Sequence, residues 1–101
     1  MHDNFRSRPL LDLAYQLPCT LVIDGVCEGG FGEPCHSNES DYGKGKSLKA
    51  HDCFFAAGCR ACHRELDQGK RFSREEKSRI WMRAYIETQL LLWKRGLIKV
   101  A

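Results

Sequence analysis

The sequence lacks any apolar run long enough to cross a membrane. Its uncharged apolar runs, such as residues 90–93, are short, whereas a transmembrane helix needs about 20 residues. Four of the first twelve residues are charged, which is not the pattern of a secretory signal peptide. We therefore expect a soluble, cytoplasmic protein with no membrane partner.

The chain also lacks internal repeats, low-complexity tracts and the length for two domains. It has 101 residues, of which 43% are hydrophobic and 29% are charged, and this composition predicts one globular domain over residues 1–101. Apolar residues become scarce between about Cys27 and Ala50. Since so small a core gives little stability, we expect a disulfide or a metal to hold the chain together.

The excess of positive charge is small. Sixteen Lys and Arg residues against thirteen Asp and Glu residues give a net charge of +3. This balance is compatible with a nucleic-acid partner but does not demonstrate one.

The strongest secondary-structure signal lies in the last third of the chain. Ser73 and Glu76 have the spacing of a capping box, and Lys94, Arg95 and Gly96 form a basic last turn followed by a glycine stop. They predict a helix over about residues 74–95. The apolar face of this helix comprises Ile80, Trp81, Ala84, Tyr85, Thr88, Leu91 and Leu92.

Weaker patterns predict the other elements. An apolar cluster at residues 10–17 predicts a short helix packed on the core. β-Branched residues at 20–23, followed by Asp24 and Gly25, predict a hairpin between Cys19 and Cys27. We also predict a short strand near residues 34–36, a short helix after Cys59 that ends near residue 69, and a closing strand at 97–100.

The six cysteines are the candidates for this disulfide or metal link. A cytosolic protein keeps its thiols reduced, which favours metal ligands over disulfides. The pairs Cys19-x7-Cys27 and Cys59-x2-Cys62 are suited to tetrahedral zinc, because two close pairs present four thiolates at a small cost in loop entropy. We predict that these four cysteines bind a structural Zn²⁺.

Other interpretations of the cysteines stay open. Cys59 and Cys62 could form a redox dithiol, although no thioredoxin-like βαβ pattern surrounds them. A third interpretation is that the cysteines are buried and chemically inert. Cys35 and Cys53 remain as free thiols or alternative ligands.

Two further patterns could carry chemistry. His63 and Asp67 are spaced i, i+4 on a predicted helix, so they could share one divalent cation or form an ordinary ion pair without metal. Lys44, Lys46 and Lys49 alternate with glycines in a polar loop. This loop is suited to phosphate oxygens, but such lysines are also common on a solvated surface.

A histidine followed about 26 residues later by Cys-x-x-Cys-His, with a cysteine pair upstream, resembles the HNH, or ββα-metal, endonuclease superfamily. More closely, the chain looks like the small phage and prophage nucleases of the YbcO type, which are related to a phage RecA-dependent nuclease. The likeness covers roughly residues 18–100, with a motif core at 35–69. The matching segments are Cys35-His-Ser-Asn38, Gly43-Lys-Gly45, Leu48-Lys-Ala-His-Asp52, Cys59-Arg-Ala-Cys-His63 and Leu66-Asp-Gln-Gly69.

The resemblance implies specific catalytic roles. His36 would be the general base that takes a proton from the attacking water, a task suited to imidazole at neutral pH. His63 would hold a divalent cation, Mg²⁺ or else Mn²⁺ or Zn²⁺, with Asp67 as a second ligand. Asp52, with His51 beside it, would take the place of the family's middle asparagine, which orients the hairpin and its histidine.

The resemblance also implies a function and a fold. The expected function is hydrolysis of DNA phosphodiester bonds in phage recombination or DNA processing, in the bacterial host cytoplasm. Its partners would be DNA, gripped through Lys44, Lys46 and Lys49, and a recombination protein. The alternative is a non-catalytic, zinc-stapled module that binds DNA or protein. The expected fold is α+β, with a zinc-held hairpin, a ββα-metal (treble-clef-like) element and a long C-terminal helix across them.

Overall fold

A computed structural model describes residues 5–36 and 51–100 of the chain. Within these ranges the order is helix α1 (Arg8–Asp12), a 3-10 helix (Leu13–Gln16), strand β1 (Glu33–His36), strand β2 (Phe55–Gly58), helix α2 (Arg60–Gln68) and helix α3 (Arg74–Lys94). Strands β1 and β2 pair antiparallel, with Glu33 opposite Gly58 and His36 opposite Phe55. The fold is therefore α+β, as predicted, with two strands followed directly by a helix.

The predicted long helix is confirmed. The N–H of Glu76 donates to Ser73 Oγ at 3.1 Å, and the N–H of Ser73 donates to Glu76 Oε1 at 2.8 Å, so the capping box forms in both directions. The helix buries Trp81, Ala84 and Thr88, together with Leu92 one turn later. The short helix after Cys59, the strand near residues 34–36 and the helix-like segment near residues 10–17 also form.

The predicted strand at residues 20–23 is wrong. These residues are all described, and no strand forms in them because their backbone groups have other partners. The N–H of Thr20 donates to Ala57 O, and that of Ile23 donates to Cys62 Sγ. Asp24 and Gly25 do lie in a turn, where Cys27 N–H donates to Ile23 O at 2.9 Å. The segment is thus a loop wrapped around the cysteines.

The predicted closing strand at residues 97–100 is also wrong. Gly96 has a φ of +67°, in the left-handed region, and it turns the chain back on α3. The N–H of Leu97 then donates to Leu92 O at 3.0 Å. This is how a helix commonly ends at glycine, and it packs Leu97 and Ile98 against the core.

Side chains that alternate along β2 divide the core into two parts. Ala56 faces a cluster that contains the cysteines, Leu66 and Trp81, which we call the cysteine-side core. The two residues beside Ala56 face the other way, as successive strand residues must, and belong to an N-terminal core. That core comprises Leu11, Ala14, Leu17, Phe55, Ala57 and Leu92.

Helix α3 seals the edge of β2 that β1 leaves open. Thr88 Oγ1 accepts the N–H of Ala57 at 3.0 Å and lies 3.1 Å from the hydroxyl of Thr20. The Thr20 hydroxyl in turn donates to Ala57 O at 2.6 Å. Both backbone groups of Ala57 are therefore satisfied in a fully buried place, where an unpaired group would be costly.

We predict that Thr88→Val destabilises the fold by about 1–3 kcal/mol, because it leaves the buried N–H of Ala57 without an acceptor. Thr88→Ser keeps the hydroxyl and should lose only about 1 kcal/mol, for one methyl group. Urea denaturation of the three proteins measures both effects. A Thr88→Val protein as stable as the parent would contradict this account of the β2 edge.

Candidate metal centres and active site

Four cysteine sulfurs come together as predicted. Cys19 and Cys27 lie in the loop, Cys59 is the N-cap of α2, and Cys62 lies in the first turn of that helix. All four Sγ atoms are within 4.8 Å of one another. Tetrahedral zinc with Zn–S bonds of about 2.3 Å would need sulfurs about 3.8 Å apart. The cluster therefore fits a structural metal such as zinc, and none of these cysteines is in a disulfide.

Backbone N–H groups point at three of these sulfurs. Ile23 donates to Cys62 Sγ at 3.4 Å, Glu28 to Cys59 Sγ at 3.5 Å, and Gly29 to Cys27 Sγ at 3.4 Å. Donors of this kind stabilise thiolate ligands and orient them. The backbone N–H groups of the loop therefore contact the cysteine sulfurs, whereas in the predicted hairpin they would have paired with a second strand.

The electrostatics of the cluster agree with this arrangement. Burial opposes ionisation of Cys59, but the N–H groups of Glu28 and Cys62 outweigh it and lower the pKa of the Cys59 thiol to about 7. Burial raises the pKa of the Cys62 thiol, and the thiols packed against it raise it further. Four thiolates packed together would repel one another, so all four thiols would ionise only with a cation bound between them.

The other two cysteines lie apart from this cluster. Cys53 is half-buried, and burial raises its pKa. Cys35 is fully buried on β1. Burial also raises the pKa of Cys35, but hydrogen bonding to His63 opposes that change. Cys35 therefore borders a second group of side chains, around His63.

His63 lies between two carboxylates. Its Nδ1 is 2.7 Å from Glu33 Oε2, and its Nε2 is 3.1 Å from Asp67 Oδ2. The hydrogen bond to Asp67, followed by the one to Cys35, raises the pKa of His63 to about 11. The carboxylates that hold a proton on this ring are also ligands for a divalent cation. The predicted pair of His63 and Asp67 is thus brought together.

The His63 group opens into a shallow cleft of about 180 Å³. Arg60 and Arg64 line it together with Gln68, and Arg60 Nε lies 3.8 Å from Glu33 Oε1. A cleft that combines carboxylates, an imidazole and guanidinium groups can hold a cation and a phosphate side by side.

His36 and Asp52 form a second pair. His36 Nε2 is 3.5 Å from Asp52 Oδ1, and Asp52 is buried. Because Cys35 and His36 are neighbours on β1, they face opposite sides of the sheet. The His36 pair therefore lies on the side opposite to Glu33, Cys35 and His63. The structure thus places two groups of titratable side chains on opposite sides of the two-stranded sheet.

Asp52 also fixes the N-terminal segment. Its Oδ2 accepts the N–H of Ser7 at 2.6 Å, and Ser7 is the N-cap of α1. The predicted orienting residue is therefore built into the fold as well as facing His36. The predicted phosphate contacts Lys44, Lys46 and Lys49 lie outside the described residues.

Glu33 is a member of the His63 group that the sequence patterns did not single out. It stands two positions before Cys35 on a strand, so the two side chains share a face. That spacing is the signal that could have identified it once β1 had been placed beside α2.

Comparison with known proteins supports the fold and a phage origin for the chain. No protein-family model matches the chain, and no curated protein matches it. A solved structure described as "a putative bacteriophage protein" from Escherichia coli strain K-12 substrain MG1655 is similar, with a TM-score of 0.60 and 25% identity. The match covers 84% of this chain and 96% of the other.

This likeness supports a phage origin for the chain and says nothing about its activity. In addition, none of the helices in the described ranges is both long and apolar enough to span a membrane.

We predict about one zinc ion per chain in protein purified without added metal, because four converging thiolates bind zinc tightly. Cys62→Ser should lose the zinc and unfold at a lower temperature. Cys53→Ser is the matched control, since Cys53 lies outside the cluster, and it should retain both. Metal analysis and thermal denaturation test this. Zinc content unchanged in Cys62→Ser, or a Cys59–Cys62 disulfide in mass spectrometry, would contradict the prediction.

Proposed function

We propose that the protein is a phage or prophage HNH-like, metal-dependent endonuclease that hydrolyses DNA phosphodiester bonds during recombination or DNA processing. One observation carries this proposal: His63 lies between Glu33 and Asp67, in a cleft lined by Arg60 and Arg64. These side chains have the chemistry needed to hold a cation beside a phosphate.

The cysteine cluster supports this assignment by its position. Cys59 and Cys62 bracket the first turn of α2, so a metal held there would fix the helix that carries His63 and Asp67. Preorganised ligands bind a cation without a further ordering cost.

His63 and Asp67 would hold the divalent cation, Mg²⁺ or else Mn²⁺ or Zn²⁺. When bound, this cation acts as a Lewis acid that stabilises negative charge on the phosphate and the leaving oxygen. Glu33 would accept a hydrogen bond from Nδ1 of His63 and so fix the tautomer that leaves Nε2 for the cation. In this role Glu33 is a positioning residue.

His36 would remove the proton from the attacking water, and Asp52 would hold the imidazole in place. In-line displacement at phosphorus requires the attacking and leaving oxygens to lie on opposite sides. His36 is the last residue of β1, so for the base and the cation to act on one phosphate, that phosphate must lie beyond the end of the strand.

We predict that the protein nicks supercoiled plasmid DNA with Mg²⁺ or Mn²⁺ but not in a chelator. His36→Ala should lower the rate about 10²- to 10⁴-fold, the usual contribution of a general base. Asp67→Asn should raise the metal concentration required for activity. Glu87→Gln, on an exposed part of α3, is the control for carboxylate loss. Equal residual activity in the parent and His36→Ala under every condition would contradict the assignment.

A non-catalytic binding module is the second candidate, and one observation favours it. Both ring nitrogens of His63 have carboxylate partners at 2.7 and 3.1 Å, an arrangement that is also complete as a structural ion pair. Such a module would bind DNA in a salt-sensitive way. Its binding would survive both His36→Ala and His63→Ala, without nicking.

We predict a graded response to changes at Glu33. Glu33→Ala should raise the metal concentration for half-maximal nicking about 10- to 100-fold, the usual effect of removing a ligand's hydrogen-bond partner. Glu33→Gln should restore much of this affinity, because its amide oxygen still accepts from His63. Nicking assays over a metal series, with Glu87→Gln as control, measure it. Unchanged metal dependence in Glu33→Ala would show that Glu33 does not act through His63.

A further inference from the structure

A second cleft lies along the first half of α3 and has a volume of about 330 Å³. This volume is at the lower end of the range found for small-molecule sites, and it exceeds that of the His63 cleft. The reaction proposed above uses none of its residues. The cleft, which we call the α3 cleft, is lined by Phe72, Glu76, Arg79, Ile80 and Arg83.

Part of this lining is apolar. Phe72 and Ile80 are half-buried and pack against the cysteine-side core, which fixes their positions. The guanidinium group of Arg71 lies 4.9 Å from the centroid of the Phe72 ring, and its Nη1 donates to Asp24 O at 2.5 Å. The aromatic ring is therefore held in place by its neighbours where it borders the cleft.

The rest of the lining is charged, with an excess of positive charge. Arg79 and Arg83 are exposed and spaced i, i+4, so they lie on one face of α3. Arg83 Nη2 donates to Leu21 O at 3.0 Å, a bond that orients the side chain and leaves its charge in place. The carboxylate of Glu76 accepts the N–H of Ser73 at 2.8 Å. Two guanidinium groups and one carboxylate give the lining a net positive charge, which attracts an anion.

A nucleotide has chemistry that matches both parts of the lining. Unpaired bases stack on aromatic side chains and on the planes of guanidinium groups. Guanidinium groups also bind phosphate oxygens through their planar fork of N–H donors. A base within a duplex is already stacked and paired, so a base must leave the duplex to enter a pocket. The α3 cleft therefore fits one nucleotide of a single strand better than it fits a duplex.

The chain also keeps the α3 cleft close to the His63 cleft. Gln68 lines the His63 cleft and Phe72 lines the α3 cleft, so their Cα atoms are at most about 14 Å apart. Lys70 and Arg71, which lie between them, are exposed and basic. Successive nucleotides are about 3.4 Å apart along one strand of B-form DNA. One DNA strand could therefore reach from the first cleft to the second within about four nucleotides.

We propose that the α3 cleft binds an unpaired nucleotide of the DNA substrate, with its base against Phe72 and Ile80 and its phosphate on Arg79 and Arg83. The substrate class of the proposed nuclease is then DNA with a single-stranded segment, such as a tail or a gap, beside the bond that is cut. This inference rests on the proposed function, which supplies DNA as the ligand.

Two variants and a matched control test the cleft. Arg79→Gln removes one positive charge from its lining, and Arg74→Gln removes the same charge elsewhere on α3. Both arginines are exposed, but Arg74 is five residues away and lies on a different face of the helix, outside the lining of either cleft. Phe72→Leu keeps an apolar side chain against the core and removes the aromatic ring.

The first test measures binding without turnover, in a His36→Ala background. A fluorescent oligothymidine of about 12 nucleotides, within the usual range of single-strand site sizes, is titrated at several salt concentrations. Arg79→Gln should make the slope of log affinity against log salt shallower by about 0.7, the value for one phosphate contact on a single strand. Arg74→Gln should keep the parental slope. Phe72→Leu should weaken binding about 5- to 150-fold, the value of stacking one base.

A blunt duplex of the same length provides the second arm of this test. Because its bases are paired, Arg79→Gln and Phe72→Leu should bind it as well as Arg74→Gln does. Equal affinity of all three variants for the oligothymidine would overturn the proposal. An equal loss for the oligothymidine and the duplex would also overturn it, since this would indicate general attraction of charge. So would a lower unfolding temperature with unchanged binding, which indicates a structural role.

The third measurement is cleavage with His36 present. For a duplex with a single-stranded tail, Phe72→Leu should raise KM about 5- to 150-fold and leave kcat near the parental value, because the cleft binds the substrate away from the reacting atoms. A loss of kcat with an unchanged KM would contradict a binding role for the α3 cleft.

The two proposals fail in different ways. A parent protein that never cuts DNA, combined with weaker oligothymidine binding in Phe72→Leu and Arg79→Gln but not in Arg74→Gln, would remove the nuclease assignment and keep the α3 cleft as a single-strand contact. Cleavage that depends on His36, with equal oligothymidine binding in all three variants, would keep the nuclease assignment and remove the nucleotide site.

Discussion

The convergence of four cysteine sulfurs is the constraint on which the rest of the structure depends. It ties the loop at residues 19–27 to the first turn of α2, two segments that share no strand pairing within the described residues. Among residues 5–36 and 51–100 the sheet has two strands, and two strands alone are marginally stable in water. With the cluster in place, α2 is fixed across one side of the sheet, and His63 takes its position beside Glu33 from that helix.

The two-residue alternation of β1 then determines how the chemistry is arranged. Glu33 and Cys35 share one face and meet His63, whereas His36 faces the opposite side and meets Asp52. Each face is completed by a different part of the chain: α2 on one side, and the N-terminal segment on the other. A single four-residue strand thus places two sets of titratable groups on opposite sides of one backbone. Along the strand, successive residues are about 3.3 Å apart.

Local signals in the sequence were enough for the features that depend on neighbouring residues. The capping box at Ser73 and the Cys-x-x-Cys element leading into α2 each involve residues within one turn, and both are found in the structure. The strand predicted at residues 20–23 failed because its β-branched residues are held by sulfurs and by β2, which are distant in sequence. Glu33 and the docking of Ser7 on Asp52 were missed for the same reason, since tertiary contacts override local preference.

A cation in the His63 cleft would strengthen the attraction of that cleft for DNA. Glu33 and Asp67 would repel phosphate, and the proton on His63 offsets only one of them. Arg60 and Arg64 line the same cleft, which makes the local balance slightly positive. Replacing the imidazole proton with a divalent cation adds one further positive charge beside the two guanidinium groups. Cation binding would therefore both supply the Lewis acid and strengthen attraction of the polyanionic strand, so that metal and substrate favour each other's binding.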